Sequence, residues 1–331
     1  MYRNDLKPGK TSTHVPRPPH PHHRHQPLPW QVPKPESEDP RAPGCLSRIL
    51  NSPSYRQANH DVDFLNGDDA RGVRLQVDYL KAQRLLEAHD IRHTVVVFGS
   101  TRIPEPQVAQ QRLAQLRALM VNEPDNARYL AEMSVAERIM EKSRYYEVAR
   151  EFGKRVSEAA LAHQAGLVIM TGGGPGIMEG ANRGAFDTAA KTVGLNISLP
   201  HEQFPNPYVT PELCFQFHYF AMRKLHFLLR ARALVAFPGG YGTLDELFET
   251  LTLVQTRKIR PLPIVLVGES FWRGAVNLDF LVSEGVIDEE DRDLFWYAET
   301  AEDIWNGILN WHEANGEPLL SSDQTPPIQP R

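Results

Sequence analysis

The sequence holds only two cysteines in 331 residues, Cys45 and Cys214. They form no CxxC pair and no zinc-ligand spacing, so neither a disulfide framework nor a cysteine metal site is expected. Such sparing use of thiols reads as a reducing, cytoplasmic compartment. Long apolar runs are also missing. No stretch of ~18 uncharged apolar residues occurs, which excludes a membrane-spanning helix. Residues 1–10 are polar with no apolar run behind them, unlike a secretory leader. Nor is positive charge in excess: 36 Lys and Arg stand against 41 Asp and Glu, a net charge of -5. A nucleic-acid or anionic-membrane partner would call for the opposite balance.

What is present is enough apolar residue, 41%, for a sizeable core. The order of segments is informative. Residues 1–50 are rich in proline and histidine and read as a disordered or extended tail. Its histidines could hold a transition metal, but a solvated tail is the better reading, and no metal site is assigned. Residues 51–91 read as a helical extension, with apolar spacing for a helix over 71–89. Residues 92–315 alternate strand and helix, apart from a charged, alanine-rich helical insertion at 104–142. A loose tail at 316–331 closes the chain. Strands are expected at 94–98, 167–171, 193–199, 234–237, 262–267 and 295–298. One helix is expected over 271–284, and loop over 200–214, which could form a wall of a site. Such alternation predicts an α/β fold, a doubly wound, Rossmann-like parallel sheet with helices on both faces.

In an open parallel sheet, ligands sit at the carboxyl ends of the strands. Three glycine-bearing turns lie there. Gly99 and Ser100 follow the first strand, where an ordinary strand exit is an equal reading. Gly172, Gly173 and Gly174 follow the second. They lack the G-x-G-x-x-G spacing and the acidic residue of a dinucleotide site, so NAD is discounted. Gly239, Gly240 and Gly242 lie between the strand at 234–237 and a helix expected from Thr243. A glycine turn feeding a helix leaves backbone N–H groups and the positive end of the helix dipole aimed at one spot, which suits a phosphate. Arg223 and Lys224 are the cations nearest in sequence, on a helix expected at 218–232. A carboxylate, Glu246, follows in the first turn. Residue types alone favour a structural role for it, because Thr243 and Glu246 have the spacing of a capping box.

These residues carry a resemblance. The run from Pro238 to Glu246 matches P-G-G-x-G-T-x-x-E, the signature of the LOG family, phosphoribohydrolases that activate cytokinins, and of their bacterial relatives, long labelled lysine decarboxylases. The run from Gly172 to Met178 resembles the family's first glycine motif. Met222, Arg223 and Lys224 resemble its Arg-Lys element. The likeness covers residues 92–312, and the added segments resemble the longer bacterial members.

The resemblance implies hydrolysis of the N-glycosidic bond of a nucleoside 5′-monophosphate, AMP or an N6-modified AMP, to free base and ribose 5-phosphate. It implies at least a homodimer and no cofactor. It makes Arg223 and Glu246 the catalytic pair. Gly239, Gly240, Gly242 and Thr243 would hold the phosphate, and Lys224 and Thr252 would line the site. Met222, Tyr241 and Asp245 fall within the matching motifs and join the binding set. Glu202 lies near a substrate-contacting position. Phe220 and Ala221 replace the Met-His-x lead-in of plant members, which leaves the preferred base open. Two other readings stand beside this one. A carrier of nucleotide or molybdenum cofactor could share the fold. A pyridoxal phosphate enzyme would need a buried Schiff-base lysine, and Lys224 is the only lysine near the motifs.

Overall fold

The computed structural model describes residues 18, 20, 22–24, 26–200 and 204–320. Glu202 and residues 1–17, 19, 21 and 25 of the N-terminal tail therefore lie outside the described residues. The chain divides into two compact units, residues 1–70 and 71–331. The first carries α1 (Ala42–Leu50) and the short α2 (Val62–Asn66), which Asp61 caps by accepting from the N–H of Phe64 at 3.2 Å. The helix α1 falls within the stretch expected to be disordered or extended.

The second unit opens with α3 (Arg71–Ala88) and β1 (His93–Phe98). The insertion forms two helices, α4 (Pro106–Asn122) and α5 (Ala127–Lys142), followed by the long α6 (Arg144–His163). Then come β2 (Leu167–Thr171), α7 (Ile177–Phe186), β3 (Thr192–Ile197), β4 (Cys214–Phe217) and α8 (Phe220–Leu229). The last third runs β5 (Ala231–Ala236), α9 (Tyr241–Gln255), β6 (Ile264–Val267), α10 (Glu269–Ala275), α11 (Leu278–Ser283), β7 (Trp296–Ala298) and α12 (Ala301–Ala314).

All seven strands are parallel, in the order β4-β3-β2-β1-β5-β6-β7. The chain winds outward from β1 to one edge, returns to β5 beside β1, and winds to the other edge. That reversal opens a crevice between the carboxyl ends of β1 and β5, the place where such sheets bind ligands. Every residue of β1 and β2 is buried, as expected of central strands covered on both faces. Alternation along each strand sends side chains to opposite layers. Val95, Val97, Ile169 and Val235 meet α6, α7 and α12, where Phe152 and Ile308 are fully buried. Val96, Met170 and Leu234 meet α3, α8, α9 and α10, where Phe227 and Trp272 are buried. Each such apolar side chain taken from water stabilises the fold by about 1.5–3 kcal/mol.

Among the boundaries that depart from expectation, four have a local reason. Cys214–Phe217 is an edge strand where no strand or helix is expected, overlapping the expected loop at Cys214 alone; it is only four residues long, with Phe215 and Phe217 buried, and pairs with β3 from Gly194 to Ile197. The helix expected over 271–284 is two, because Asn277 starts a new one by accepting from the N–H of Phe280 at 2.9 Å. The helix expected at 218–232 is shorter, Phe220–Leu229, because β5 takes up the chain from Ala231. Finally, residues 316–320, the described part of the expected loose tail, are anchored: Leu319 is buried in the layer that holds α12.

Candidate active site

Three loops meet at the crevice. After β1, the N–H of Ser100 donates to the carbonyl of Pro238 at 2.9 Å, and the carbonyl of Ser100 accepts from Ile177 at 3.2 Å. These two bonds tie the loop after β1 to those after β5 and β2. Gly99 and Gly176 permit the closeness. A Cβ at Gly99 would stand 2.5 Å from Cγ2 of Ile177, and one at Gly176 would stand 2.5 Å from the Ser100 carbonyl. The expected glycine turns are thus brought together.

A buried polar network holds the loop after β2. Thr171 Oγ1 accepts from the N–H of Gly173 at 2.9 Å and donates to Asn182 Oδ1 at 2.7 Å. Asn182 Nδ2 in turn donates to Thr192 Oγ1 at 2.6 Å. Asn206 closes the ring, donating to Asn182 Oδ1 at 2.9 Å and to the Gly174 carbonyl at 3.0 Å. Buried polar groups that are all partnered fix one conformation, because breaking any link strands the others. Sequence reasoning did not single out Thr171, Asn182 or Asn206. Asn206 lies in the proline-rich segment read only as a wall.

At the loop after β5, the helix begins two residues earlier than expected, at Tyr241, with Gly240 as its N-cap. Thr243 and Glu246 therefore make no capping box. Thr243 is buried against Gly239, and both Thr243 and Leu244 donate their N–H to the Gly240 carbonyl at 3.0 Å. Among the described residues, the N–H groups of Gly239, Gly240, Tyr241 and Gly242 have no protein acceptor. They lie at the positive end of α9. Gly240 and Gly242 have open space where a side chain would stand, and Tyr241 is exposed.

Glu246 is freed from capping and turned inward, with 6% of its surface exposed. Its Oε2 lies 3.6 Å from Lys224 Nζ. Burial pushes its carboxyl up to about 7, against the pull of Lys224 and Arg223. Lys224 also meets Asp245 at 2.8 Å and Glu249 at 2.9 Å. Burial works against its charge, but the hydrogen bonds to Asp245 and Glu249 outweigh it and hold Lys224 above the usual lysine value. The expected free cation is therefore engaged by three carboxylates. Glu249, one turn beyond Glu246, went unremarked in the sequence.

Arg223 reaches the other way, toward the first glycine loop. Its Nε donates to the Leu195 carbonyl at 2.7 Å, and its guanidinium lies 5.0 Å over the Phe227 ring. Burial lowers its pKa, opposed by Glu246 and Asp245. Met222 is half-buried beside it, packed on the layer of α8 and α9. Thr252 does not join the loops. It is exposed, donates to the Phe248 carbonyl at 2.7 Å, and lines an outer groove of about 700 Å³ with Lys224, Tyr241, Asp245 and Glu249.

A family model described as "Possible lysine decarboxylase" matches residues 178–308. A protein of Oryza sativa subsp. japonica, named cytokinin riboside 5′-monophosphate phosphoribohydrolase LOG, is 30% identical over 189 residues, covering 56% of this chain and 74% of its own. The chain belongs to the LOG family. A LOG protein of Arabidopsis thaliana bearing the same enzyme name is 26% identical over 168 residues, covering 49% of this chain and 74% of its own. A solved molybdenum cofactor binding protein from the phototrophic bacterium Rippkaea orientalis is 22% identical, with a TM-score of 0.34, covering 50% of this chain and 87% of that one. That superposition is too loose to speak for any LOG chemistry. Among the described residues, no helix is long and apolar enough to cross a membrane.

Proposed function

We propose that the protein hydrolyses the N-glycosidic bond of a nucleoside 5′-monophosphate, AMP or an N6-modified AMP, releasing the base and ribose 5-phosphate. The observation that carries this reading is Glu246: a carboxylate turned inward, its pKa pushed up to about 7, one turn from four unpartnered N–H groups. The names of the rice and Arabidopsis relatives support the same reaction.

The loop amides of Gly239, Gly240, Tyr241 and Gly242 grip the 5′-phosphate, with Thr243 and Asp245 shaping the first turn. Gly99, Ser100, Gly172, Gly173 and Gly174 let the sugar approach the backbone closely. Breaking the ribose–base bond leaves positive charge on the anomeric carbon, an oxocarbenium-like state. The base departs with the bonding electron pair and takes up a proton. Water adds to the anomeric carbon and loses a proton to Glu246, which as a carboxylate also stabilises the cation. Arg223 balances the charge of Glu246 and positions the sugar side of the site. The phosphate, held away from the reacting bond, supplies the energy that orients the sugar.

Lys224 does not suit a Schiff base with pyridoxal phosphate. That role needs an amine that readily loses its proton, and three carboxylates hold this one charged. A homodimer or higher homo-oligomer, in a cytoplasmic setting, completes the reading.

The test offers the protein a panel of nucleosides and their 5′-monophosphates, with freed base measured by chromatography. Base should come from the monophosphates and not from the nucleosides. Equal turnover of adenosine and AMP would defeat the phosphate-gripping loop. A nucleotide that stays bound and intact would point to a carrier.

A further inference from the structure

The expected cation for the phosphate, Lys224, is engaged by Asp245, Glu246 and Glu249, and Arg223 points to the loop after β2. The loop after β5 nevertheless has charged company on its other side. A cavity of about 490 Å³ has Ser100, Pro238 and Gly239 in its lining, with Phe271 of α10. Its remaining wall is the end of the insertion helix α5, which contributes Arg138 and Lys142. The lining holds these two cations and no carboxylate.

Three nearby cations on the insertion and on α6 are paired: Arg128 with Glu132 at 2.8 Å, Arg112 with Glu132 at 3.4 Å, and Arg144 with Glu299 at 3.2 Å. Arg138 and Lys142 form no ion pair among the described residues. Lys142 donates only to the Arg138 carbonyl, at 3.3 Å. Two like charges one helical turn apart repel each other mildly when nothing neutralises them. A phosphate monoester carries close to two negative charges at neutral pH, so it matches this pair together with the amides of the loop.

We propose that Arg138 and Lys142 form the outer half of an anion subsite, binding the 5′-phosphate of the nucleotide whose inner contacts are the amides of the loop after β5. This rests on the nucleotide reading above and deepens it. Arg138 is exposed and Lys142 half-buried, so both can adjust to meet a ligand. Arginine offers a two-pronged contact to phosphate oxygens, and lysine a point charge. The insertion helix would thereby take the role of phosphate cation that the Arg-Lys element does not fill.

The experiment uses the whole chain and its double variant R138Q/K142Q, with ribose 5-phosphate as the calorimetric probe. Binding should weaken by about tenfold or more in the variant, with an unchanged melting curve. With AMP, KM should rise while kcat stays within about twofold. The charge-keeping pair R138K/K142R should retain binding. Unchanged affinity in the double variant would overturn the subsite and leave the proposed reaction standing. If the wild type binds ribose 5-phosphate, the variant does not, and no nucleotide is cleaved, the subsite stands and the reaction fails. A wild type that ignores ribose 5-phosphate overturns the subsite outright. Should the double variant fail to fold, R138Q and K142Q singly are read in the same way.

Discussion

The guanidinium of Arg223 lies against the bare backbone of Gly172: a Cβ built there would stand 2.7 Å from Nη2 and 3.0 Å from the sulfur of Met178. The first glycine motif thus makes room for the Arg-Lys element, two stretches some fifty residues apart in sequence.

Gly172→Ala should therefore act through Arg223. The added methyl meets the far end of a flexible side chain, which can move aside, so the fold should survive with a small loss of stability. The guanidinium cannot keep both its place and its bond to the Leu195 carbonyl. A catalytic group displaced by about 1 Å can cost about 100-fold, and kcat for base release should fall by about 10- to 100-fold. Steady-state kinetics beside a melting curve checks this. Full activity would mean that Arg223 does not act from this seat.

Glu246→Gln keeps the side-chain volume and removes the charge. Base release should drop by about 10²–10⁴-fold, the usual contribution of an acid–base group. Because Gly240, not Glu246, stands at the helix cap, no capping bond is lost. In the wild type kcat/KM should rise with pH through about 7 as the carboxylate ionises, and that limb should vanish in the variant. Stability carries the opposite sign. Folding raises the pKa of Glu246 from 4.5 to about 7, so the native state binds the extra proton and its share of stability, up to about 3 kcal/mol, is lost as pH rises across that window. Glu246→Gln should remove this loss. A pH–rate profile and urea titrations at several pH values read both effects.

How far the sequence alone reaches is visible in these same residues. The sheet, its two helical layers and the three glycine loops were legible, because buried strands and glycine turns write their signal in contiguous residues. Glu246 was misread by residue type: T-x-x-E favoured a cap, and the choice is reversed because the helix starts two residues early, with Gly240 as its N-cap. Lys224 looked free because its partners Asp245 and Glu249 lie on another helix. Arg138 and Lys142 lie in a segment outside every motif, and only the fold carries them to the loop after β5. The edge strand β4 escaped because four residues next to a proline-rich loop give too short a pattern.

A second stability effect comes from the far end of the sheet. His93 begins β1 with 2% of its surface exposed, and neither ring nitrogen has a partner among the described residues. Burial, then the charges of Arg232 and Arg92, lower its pKa from 6.5 to about 4. The unfolded chain takes up the proton first, so this contribution, about 3 kcal/mol, is present above pH 6.5 and lost as pH falls through 4. His226, buried between α3 and α8 and lowered to about 4, adds in the same direction. The chain should therefore weaken in acid, partly offset by Glu246. His93→Leu should flatten the slope of unfolding free energy between pH 6.5 and 4. An unchanged slope would show that the ring is protonated or hydrated in the native state.

The glycines of the loop after β5 should separate packing from access. A Cβ at Gly239 would collide with the side chain of Thr243, itself buried. Gly239→Ala must push Thr243 or the loop aside and should destabilise the protein by about 1–3 kcal/mol, as overpacking does. Gly242 meets nothing within 4 Å, has no positive φ, and lies in the first turn of α9. Alanine is the better helix former, so Gly242→Ala should leave stability unchanged or raise it by up to about 1 kcal/mol. Its methyl would nonetheless stand beside the unpartnered N–H groups and crowd any phosphate approaching them. The expected result is a KM for nucleotide raised by about tenfold in a protein that melts no lower than the wild type. If Gly242→Ala binds nucleotide as the wild type does, the ligand does not reach the amides at the start of α9, and the phosphate must be held elsewhere.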